Sequence, residues 1–141
     1  MKSYFTIEEL CNSETADRLN IDNNPQPEII LHLNEMIDFL NPIREAWGSA
    51  IIVTSGYRCK KLNQAVGGSE TSVHQIGYAV DIVPKNGKID EFGKFIEKFL
   101  ADNDLKWDQL LFEKSKTSTW IHLGLYNNKH EQRMIVSSIN A

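Results

Sequence analysis

The chain has 141 residues, a net charge of −4, and apolar and charged fractions of 41% and 24%. These values are typical of one globular domain over residues 1–141, and they exclude a disordered chain, which would be less apolar and more unevenly charged. The acidic balance argues against a nucleic-acid-binding protein, which needs a basic surface. No apolar run approaches the roughly 20 residues of a membrane-spanning helix.

The N-terminal segment and the cysteines indicate whether the protein is exported and whether it contains disulfides. The opening MKSYFTIEELCNSETADRL becomes acidic where a signal peptide would become apolar, so we expect no export signal. Cys11 and Cys59 are too few for a disulfide framework, and they lack the CxxC spacing of many metal sites. We expect two reduced, partly buried thiols.

The first predicted elements are helical. Residues 6–9 (TIEE) fit a capping box, and Phe5 and Leu10 are placed as a hydrophobic staple, so a short helix should begin there. The stretch 20–27 (NIDNNPQP) is typical of an ordered loop between helices.

A long helix and the first strand follow. Apolar residues recur at helical spacing over 28–47. Pro42 lies inside this run and should kink or break the helix, and Gly48 should end it. The β-branched run 51–53 predicts a short buried strand.

The second half of the chain is predicted to contain mostly strands. After a polar segment over 54–74, residues 79–83 predict a strand that Pro84 ends, and 89–100 predict an amphipathic helix. Further strands are predicted at 109–113, 120–125 and 134–139. Since the helices come first and the later strands follow without helices between them, we predict an α+β fold with an antiparallel sheet on which the N-terminal helices pack.

Only two of the four histidines have a setting that suggests chemistry. His32 lies in the long amphipathic helix, and we interpret it as a surface or flanking residue. His130 lies in the polar stretch NNKHEQR, and we interpret it as solvated. His74 precedes a glycine turn, and Asp81 follows it inside an apolar strand. A buried carboxylate needs a partner, which the segment alone leaves open among a metal ion, a backbone group and an arginine.

His122 lies in the predicted strand WIHLGL. Strand alternation gives one face its aliphatic residues and the other face Trp120, His122 and Gly124. His122 is then either a satisfied structural histidine or a ligand. Two histidines and an aspartate on separate elements form a set that Zn²⁺ commonly uses, with a fourth position left for water, as in catalytic sites.

Several motifs in this chain are specific when they occur together: TSGYR at 54–58, VGGS at 66–69, SVHQIGYAVD at 72–81, WDQL at 107–110 and WIHL at 120–123. In this combination the chain resembles the M15 family of zinc D-Ala-D-Ala carboxypeptidases and peptidoglycan endopeptidases. It is most similar to the compact branch found in phages and bacteria. The likeness extends over most of the chain, including its N-terminal opening.

The resemblance implies the fold shared by the Hedgehog signalling domain and these DD-peptidases. It implies one zinc ion, with His74, Asp81 and His122 as the ligands. It also implies that Arg58 holds a carbonyl or carboxylate of the substrate, which suits a permanently charged guanidinium. The alternative for Arg58 is a structural ion pair with Asp81 or a contact with a helix end.

Other residues of the motifs have open roles. Ser72 either binds substrate or caps a turn, and Gly67 and Gly68 are expected in a turn that wraps the site. Several M15 members carry the catalytic base three residues before the second zinc histidine, and this position is Thr119 here, which cannot act as a base near neutral pH.

Glu113 is the best substitute for the base. If 109–113 and 120–125 form a hairpin, Glu113 lies opposite Thr119 or Trp120, and opposite Trp120 it shares a face with His122. The alternative is a solvated residue at the hairpin end. Asp108 is a weaker candidate, since an aspartate before a strand is often a turn residue.

The sequence as a whole predicts a monomeric zinc metallopeptidase that hydrolyses peptidoglycan stem peptides, as a carboxypeptidase or an endolysin-type endopeptidase. The competing hypothesis is a non-catalytic M15-like module that binds zinc or cell-wall peptide, for example in a phage particle. We expect no nucleic-acid partner and no membrane span. Without an export signal, the protein is expected to stay in the cytoplasm until release, as a phage lysin does, or to be part of a virion.

Overall fold

The computed structural model describes residues 2–125 and 127, and the backbone of 134–140. The elements are α1 Ile7–Cys11, α2 Glu14–Arg18, α3 Pro27–Trp47, β1 Ile51–Ser55, α4 Lys60–Ala65, a 3₁₀ helix Val73–Ile76, β2 Ala79–Pro84, α5 Ile89–Asp102, β3 Trp107–Lys114, β4 Thr119–Leu125 and β5 Met134–Asn140. This arrangement confirms the predicted α+β class.

The strands form one sheet in the order β1-β2-β4-β3-β5. The first four strands of this order pair with one another in antiparallel orientation, as predicted. The strand predicted at 134–139 is present as β5, but it pairs in parallel with β3 at the sheet edge. The predicted antiparallel sheet is thus confirmed over four strands, and β5 adds one parallel strand at its edge.

The two faces of the sheet differ in chemistry. Alternation directs one set of side chains to the helices, where a common core forms with α1, α3 and α5. The sheet residues of this core include Val80, Ile82, Leu110, Ile121 and Leu123, all fully buried. The opposite face of the same strands carries Asp81, Leu111, Glu113, Trp120 and His122. The fold therefore separates the hydrophobic core from the polar face.

The predicted N-terminal helix is confirmed, with Thr6 Oγ1 accepting a hydrogen bond from the backbone N–H of Glu9 at 3.2 Å. Two further helices, α2 and α4, were not predicted from the sequence. Ser13 and Cys59 are their N-caps, and each accepts a backbone N–H with its side chain. Helices of one to two turns are too short for a periodic apolar pattern, so capping is their main sequence signal.

The long helix α3 continues through Pro42 to Trp47, so of the predicted kink or break the break does not occur. Proline removes one hydrogen bond to the preceding turn, but residues on both sides of it, such as Leu40 and Ile43, are fully buried. This burial holds the last turns in helical form. Gly48 ends the helix in the left-handed conformation, as predicted, at φ 77°. Within the described part of the chain, no helix is long and apolar enough to cross a membrane.

Strand boundaries extend beyond those predicted. β1 reaches Ser55, and β3 begins at Trp107 rather than at residue 109. Pro84 is the last residue of β2 and lies opposite Ile51. A proline is tolerated there because the terminal residue of a strand need not donate to the ladder.

Gly93 gives a direct test of how α5 packs on the sheet. A Cβ atom at this position would lie 1.9 Å from Cε1 of Phe112 in β3. Helix propensity alone favours alanine over glycine by about 1 kcal/mol. We expect Gly93→Ala instead to lower the free energy of unfolding by about 1–3 kcal/mol through overpacking, measured by urea denaturation.

The control for this prediction replaces the opposing Phe112 ring with a smaller side chain. Adding Phe112→Leu to Gly93→Ala should recover part of the lost stability, because the clash and its relief involve the same pair. A Gly93→Ala protein as stable as the parent would show that α5 does not approach β3 this closely.

Candidate metal centre

Three predicted ligands come together from three separate elements. His74 lies in the 3₁₀ helix, Asp81 in β2 and His122 in β4. Asp81 and His122 are directly opposite in the antiparallel pairing of β2 and β4. The 3₁₀ helix, capped by Ser72 and ended by Gly77 at φ 82°, adds the buried His74 beside them.

The imidazole of His74 has a defined orientation. Its Nδ1 lies 2.7 Å from the carbonyl oxygen of Gly56. Since a carbonyl oxygen only accepts hydrogen bonds, Nδ1 carries the proton and donates it there. Nε2 faces Asp81, whose Oδ1 is 3.4 Å away. It donates to the carboxylate while it carries a proton, and it becomes the ligand atom when a metal ion replaces that proton. The hydrogen bond from Nδ1 to Gly56 therefore orients the ring with Nε2 toward the cluster.

Steric crowding by the backbone of Leu10 requires a glycine at position 56. A Cβ atom on it would lie 2.1 Å from the carbonyl oxygen of Leu10, so only glycine allows the loop to approach α1 this closely. The adjacent Tyr57 donates its backbone N–H to the same Leu10 oxygen. The glycine of the SGYR motif therefore sets the position of the carbonyl that orients His74.

Asp81 is the negative centre of the cluster. Its Oδ1 lies 2.9 Å from Nδ1 of His122, and the rings of His74 and His122 meet edge to face at 5.2 Å. Burial alone would raise the pKa of the Asp81 carboxyl, but the hydrogen bonds and charges of His122 and His74 outweigh it and hold the pKa well below its usual range. Asp81 therefore stays ionised and available as a ligand.

The donor set fits a zinc ion. One atom from each of His74, Asp81 and His122 lies within 4.8 Å of the others, and the group could hold a metal. Two imidazole nitrogens and one carboxylate oxygen are ligands that zinc takes in catalytic sites. The site is largely shielded from water, with His74 and Asp81 side chains 3% and 14% exposed.

Glu113 lies beside this cluster. The β3–β4 hairpin places it opposite Trp120, the register in which it shares a face with His122. Its Oε1 accepts a hydrogen bond from Nε1 of Trp120 at 3.2 Å and lies 3.7 Å from Nδ1 of His122. With its side chain 19% exposed, Glu113 is not the solvated hairpin-end residue of the alternative interpretation.

The other two positions considered for a base differ from Glu113. Thr119 begins β4 opposite Lys114 and is exposed. Asp108 is buried within β3, 1% exposed, so the expectation of a turn residue before the strand is wrong. It lines the same cavity as Glu113.

Arg58 and Ser72 are linked to the metal cluster through hydrogen bonds. Nη2 of Arg58 donates to Oγ of Ser72 at 3.3 Å, and the same oxygen accepts the backbone N–H of His74. Ser72 therefore caps the 3₁₀ helix, one of the two roles considered for it. Among the described residues, Asp81 forms its ion pairs with the histidines and not with Arg58.

The guanidinium of Arg58 is half-buried and incompletely satisfied. Burial lowers the pKa of Arg58, while the charges of Asp81 and Glu113 oppose this change. Its Nε is buried without a hydrogen-bond partner among the described residues. An unsatisfied buried donor is costly, and a substrate oxygen would satisfy it.

The cluster opens into a cavity of about 760 Å³. Gly67 and Gly68 form part of its wall, in agreement with the predicted turn around the site. Gly67 adopts φ 75°, and a Cβ atom on Gly68 would lie 2.1 Å from Oδ1 of Asn63. Both positions therefore favour glycine, Gly67 through its backbone conformation and Gly68 through its close approach to Asn63.

His32 lies outside the metal cluster, as predicted. It is not an isolated surface residue, however, because its Nδ1 lies 2.6 Å from the carbonyl oxygen of Ile76 at the end of the 3₁₀ helix. Its ring also stacks on Tyr78 with centroids 4.2 Å apart, and the Tyr78 hydroxyl hydrogen-bonds to Glu35. His130 lies outside the described residues.

Both cysteines are free and partly buried, as predicted. Sγ of Cys59 accepts the backbone N–H of Leu62 at the start of α4. Burial raises the pKa of the Cys11 thiol to about 11, so this group is almost entirely protonated near neutral pH.

Asn23 is a structural residue that sequence reasoning missed. Its Nδ2 donates to the carbonyls of Cys11 and Tyr57 at 2.9 and 3.0 Å, and its Oδ1 accepts the backbone N–H of Cys59 at 2.8 Å. Asn23 thus ties the N-terminal helices to the loop that carries Gly56 and Arg58. The polar run NIDNNPQP gave no signal that distinguished this asparagine from its neighbours.

We expect Asn23→Ala to lower the free energy of unfolding by about 1–3 kcal/mol, because three backbone groups lose their partner. The neighbouring Asn24 is exposed, which makes Asn24→Ala the matched control. Urea denaturation of both variants measures the difference. Equal stabilities would contradict the role assigned to Asn23.

Comparison with known proteins places these residues in a family. No curated protein matches the chain. A family model described as Peptidase M15 matches residues 3–123, a span that includes the metal cluster, Arg58 and Glu113. Because the match covers most of the chain, this protein belongs to the M15 family of peptidases.

Proposed function

We propose that this protein is a zinc-dependent metallopeptidase that hydrolyses peptide bonds in peptidoglycan stem peptides. The observation that carries the proposal is the convergence of His74, Asp81 and His122 in a cleft, with the Glu113 carboxylate 3.7 Å from His122. Membership of a peptidase family supports hydrolysis of a peptide bond. The specific motif combination supports the cell-wall substrate.

His74, Asp81 and His122 would hold the ion. A bound zinc ion supplies Lewis acidity, which polarises the scissile carbonyl and makes water a stronger nucleophile near neutral pH. The chain itself supplies the orientation of the ligands: the carbonyl of Gly56 fixes the His74 ring, and the pairing of β2 with β4 sets His122 against Asp81.

Glu113 is the proposed general base. A carboxylate beside the metal cluster can take a proton from the attacking water and pass it to the leaving amine. The hydrogen bond from Trp120 holds Oε1 on the side of His122. Thr119, at the position where several family members carry the base, has no proton-accepting group of suitable pKa.

Arg58 is the proposed substrate-binding residue, supported by Ser72. Its incompletely satisfied guanidinium can hold the oxyanion that develops on the scissile carbonyl, or a carboxylate of the substrate. Ser72 accepts a hydrogen bond from Nη2 and so limits the directions that Arg58 can adopt. We propose that the protein works as a monomer on the cell wall, after release from the cytoplasm or as part of a virion.

The competing proposal is a non-catalytic M15-like module that binds zinc or cell-wall peptide. Thr119 favours it, and the location of Glu113 beside the cluster favours an enzyme. Hydrolysis of purified cell-wall sacculi, assayed with and without a chelator, separates the two. Chelator-sensitive release of peptides supports the enzyme, and zinc binding without release supports the module.

Replacing His74 should remove the metal. We expect His74→Ala to bind less than a tenth of the zinc per chain that the parent binds, and to lose hydrolysis of sacculi, because a cluster of three ligands would be reduced to two. Zinc content by atomic emission and peptide release are the measurements. His32→Ala, outside the cluster, should keep its zinc. Full activity of a metal-free His74→Ala protein would contradict the proposal.

Replacing Glu113 should separate metal binding from turnover. We expect Glu113→Gln to keep its zinc, to lower kcat by about 10²–10⁴-fold and to change KM little, because the amide has the shape of the base but cannot accept the proton. Glu97→Gln, at an exposed position on α5, is the control. If kcat remains within twofold, the base is another residue, and Asp108 is then the next to substitute.

A further inference from the structure

We propose that the buried Asn63 is a positioning residue for substrate binding. It fixes the loop over residues 66–72, which we call the wall loop, and this loop contacts the peptide that the enzyme hydrolyses. The inference rests on the proposed peptidase function and deepens it, because it names a residue that sets the affinity for the substrate without touching the substrate.

The wall loop forms one side of the cavity that contains the metal cluster. All of its residues except Glu70 line that cavity. Gly67 is exposed and Gly68 is partly exposed, and residues without side chains allow the backbone of a bound peptide to approach closely. Ser69 and Thr71 add hydroxyl groups, which both donate and accept hydrogen bonds. The wall loop therefore suits recognition of the uncharged main chain of a peptide.

Asn63 holds the wall loop from inside α4. The residue is 1% exposed, and its Nδ2 donates a hydrogen bond to the carbonyl oxygen of Ser69 at 2.9 Å. Its backbone carbonyl accepts the N–H of Gly68, also at 2.9 Å. A Cβ atom on Gly68 would lie 2.1 Å from Oδ1 of Asn63. The wall loop is therefore packed directly on the Asn63 amide, and the amide defines where the loop lies.

The contact with Ser69 also connects Asn63 to the proposed substrate-binding cation. The Ser69 carbonyl oxygen accepts a second hydrogen bond, from the backbone N–H of Ser72 at 2.9 Å. Oγ of Ser72 in turn accepts Nη2 of Arg58. Three hydrogen bonds thus join the Asn63 amide to the guanidinium. The ring of His74 is oriented by a different hydrogen bond, to a carbonyl of the SGYR motif, so loss of the amide should disturb substrate binding and leave the metal ligand in place.

Stability does not explain an asparagine at this position. Oδ1 of Asn63 is buried and has no hydrogen-bond partner among the described residues. The cost of an unsatisfied buried acceptor offsets most of what the hydrogen bond to Ser69 contributes. Alanine also has the higher helix propensity. The amide therefore adds little net stability, and its role is to position the wall loop.

The test replaces Asn63 and an exposed neighbour on the same helix. We expect Asn63→Ala to raise KM for a purified stem pentapeptide about tenfold and to keep kcat within about twofold, because the ground state and the transition state lose the same binding. Zinc content should be unchanged, and Tm should stay within about 3 °C of the parent. Gln64→Ala removes an exposed amide from the adjacent position and should change none of these quantities.

Binding of the peptide is also measured separately from turnover. Isothermal titration calorimetry with zinc-loaded Glu113→Gln protein gives the Kd for the same pentapeptide, and adding Asn63→Ala should raise this Kd about tenfold. If the parent binds the peptide without hydrolysing it, the proposed catalysis is wrong, and the Kd comparison still decides the role of Asn63. If the parent neither binds nor hydrolyses the peptide, both proposals are overturned.

Gly68→Ala tests the same contact from the side of the loop. The added Cβ atom would displace the Asn63 amide, so KM should rise about tenfold. In the Asn63→Ala background this space is free, and adding Gly68→Ala should change KM by less than about twofold. A full tenfold effect in that background would mean that the added methyl group blocks the cleft directly.

A structural role gives a different pattern. If Asn63→Ala lowered Tm by more than about 10 °C and left KM and Kd unchanged, Asn63 would only stabilise the fold, and the inference would be overturned. Unchanged KM, Kd and Tm would overturn it as well. A loss of zinc from Asn63→Ala would show that the amide acts on the metal ligands and not on the substrate.

Discussion

The rest of the site depends on one largely shielded negative charge, the carboxylate of Asp81 inside an apolar strand, whose side chain is 14% exposed. An unpaired carboxylate in this position would destabilise the fold strongly. His122 and His74 approach the same oxygen at 2.9 and 3.4 Å and keep the group ionised. The two histidines come from a neighbouring strand and a 3₁₀ helix, so the compensation exists only when the sheet and the loop before it are both in place. The requirement that stabilises Asp81 is also the one that assembles the candidate metal site.

The loop around Gly56 connects this charge to the N-terminal helices. The carbonyl of Gly56 fixes the His74 ring, and the next residues are held by backbone contacts to α1 and by Asn23. Arg58 follows in the same loop and donates its backbone N–H to the carbonyl of His74. The helix α1 therefore does more than cover the core. Together with Asn23, it defines the position of the loop from which both an orienting carbonyl and a candidate substrate-binding cation project.

The two faces of the sheet have different roles: one packs in the core, and the other carries the candidate site. Residues such as Ile82 and Ile121 pack against the helices, and their neighbours Asp81 and His122 point the other way because side chains alternate along a strand. Substitutions on the core face should act mainly on folding, and those on the polar face mainly on binding and turnover. The polar face carries the candidate ligands Asp81 and His122, and Glu113 beside them.

The sequence by itself determined the elements with a long periodic pattern and the candidate ligands, because apolar spacing and the SVHQIGYAVD and WIHL motifs are local. It predicted α5 and the β3–β4 hairpin, but it left Glu113 opposite either Thr119 or Trp120. Only the tertiary structure decided that register, the parallel edge strand β5 and the continuation of α3 through Pro42. Each of these depends on contacts between residues far apart in the chain, whose free energy outweighs the local preferences that a sequence pattern records.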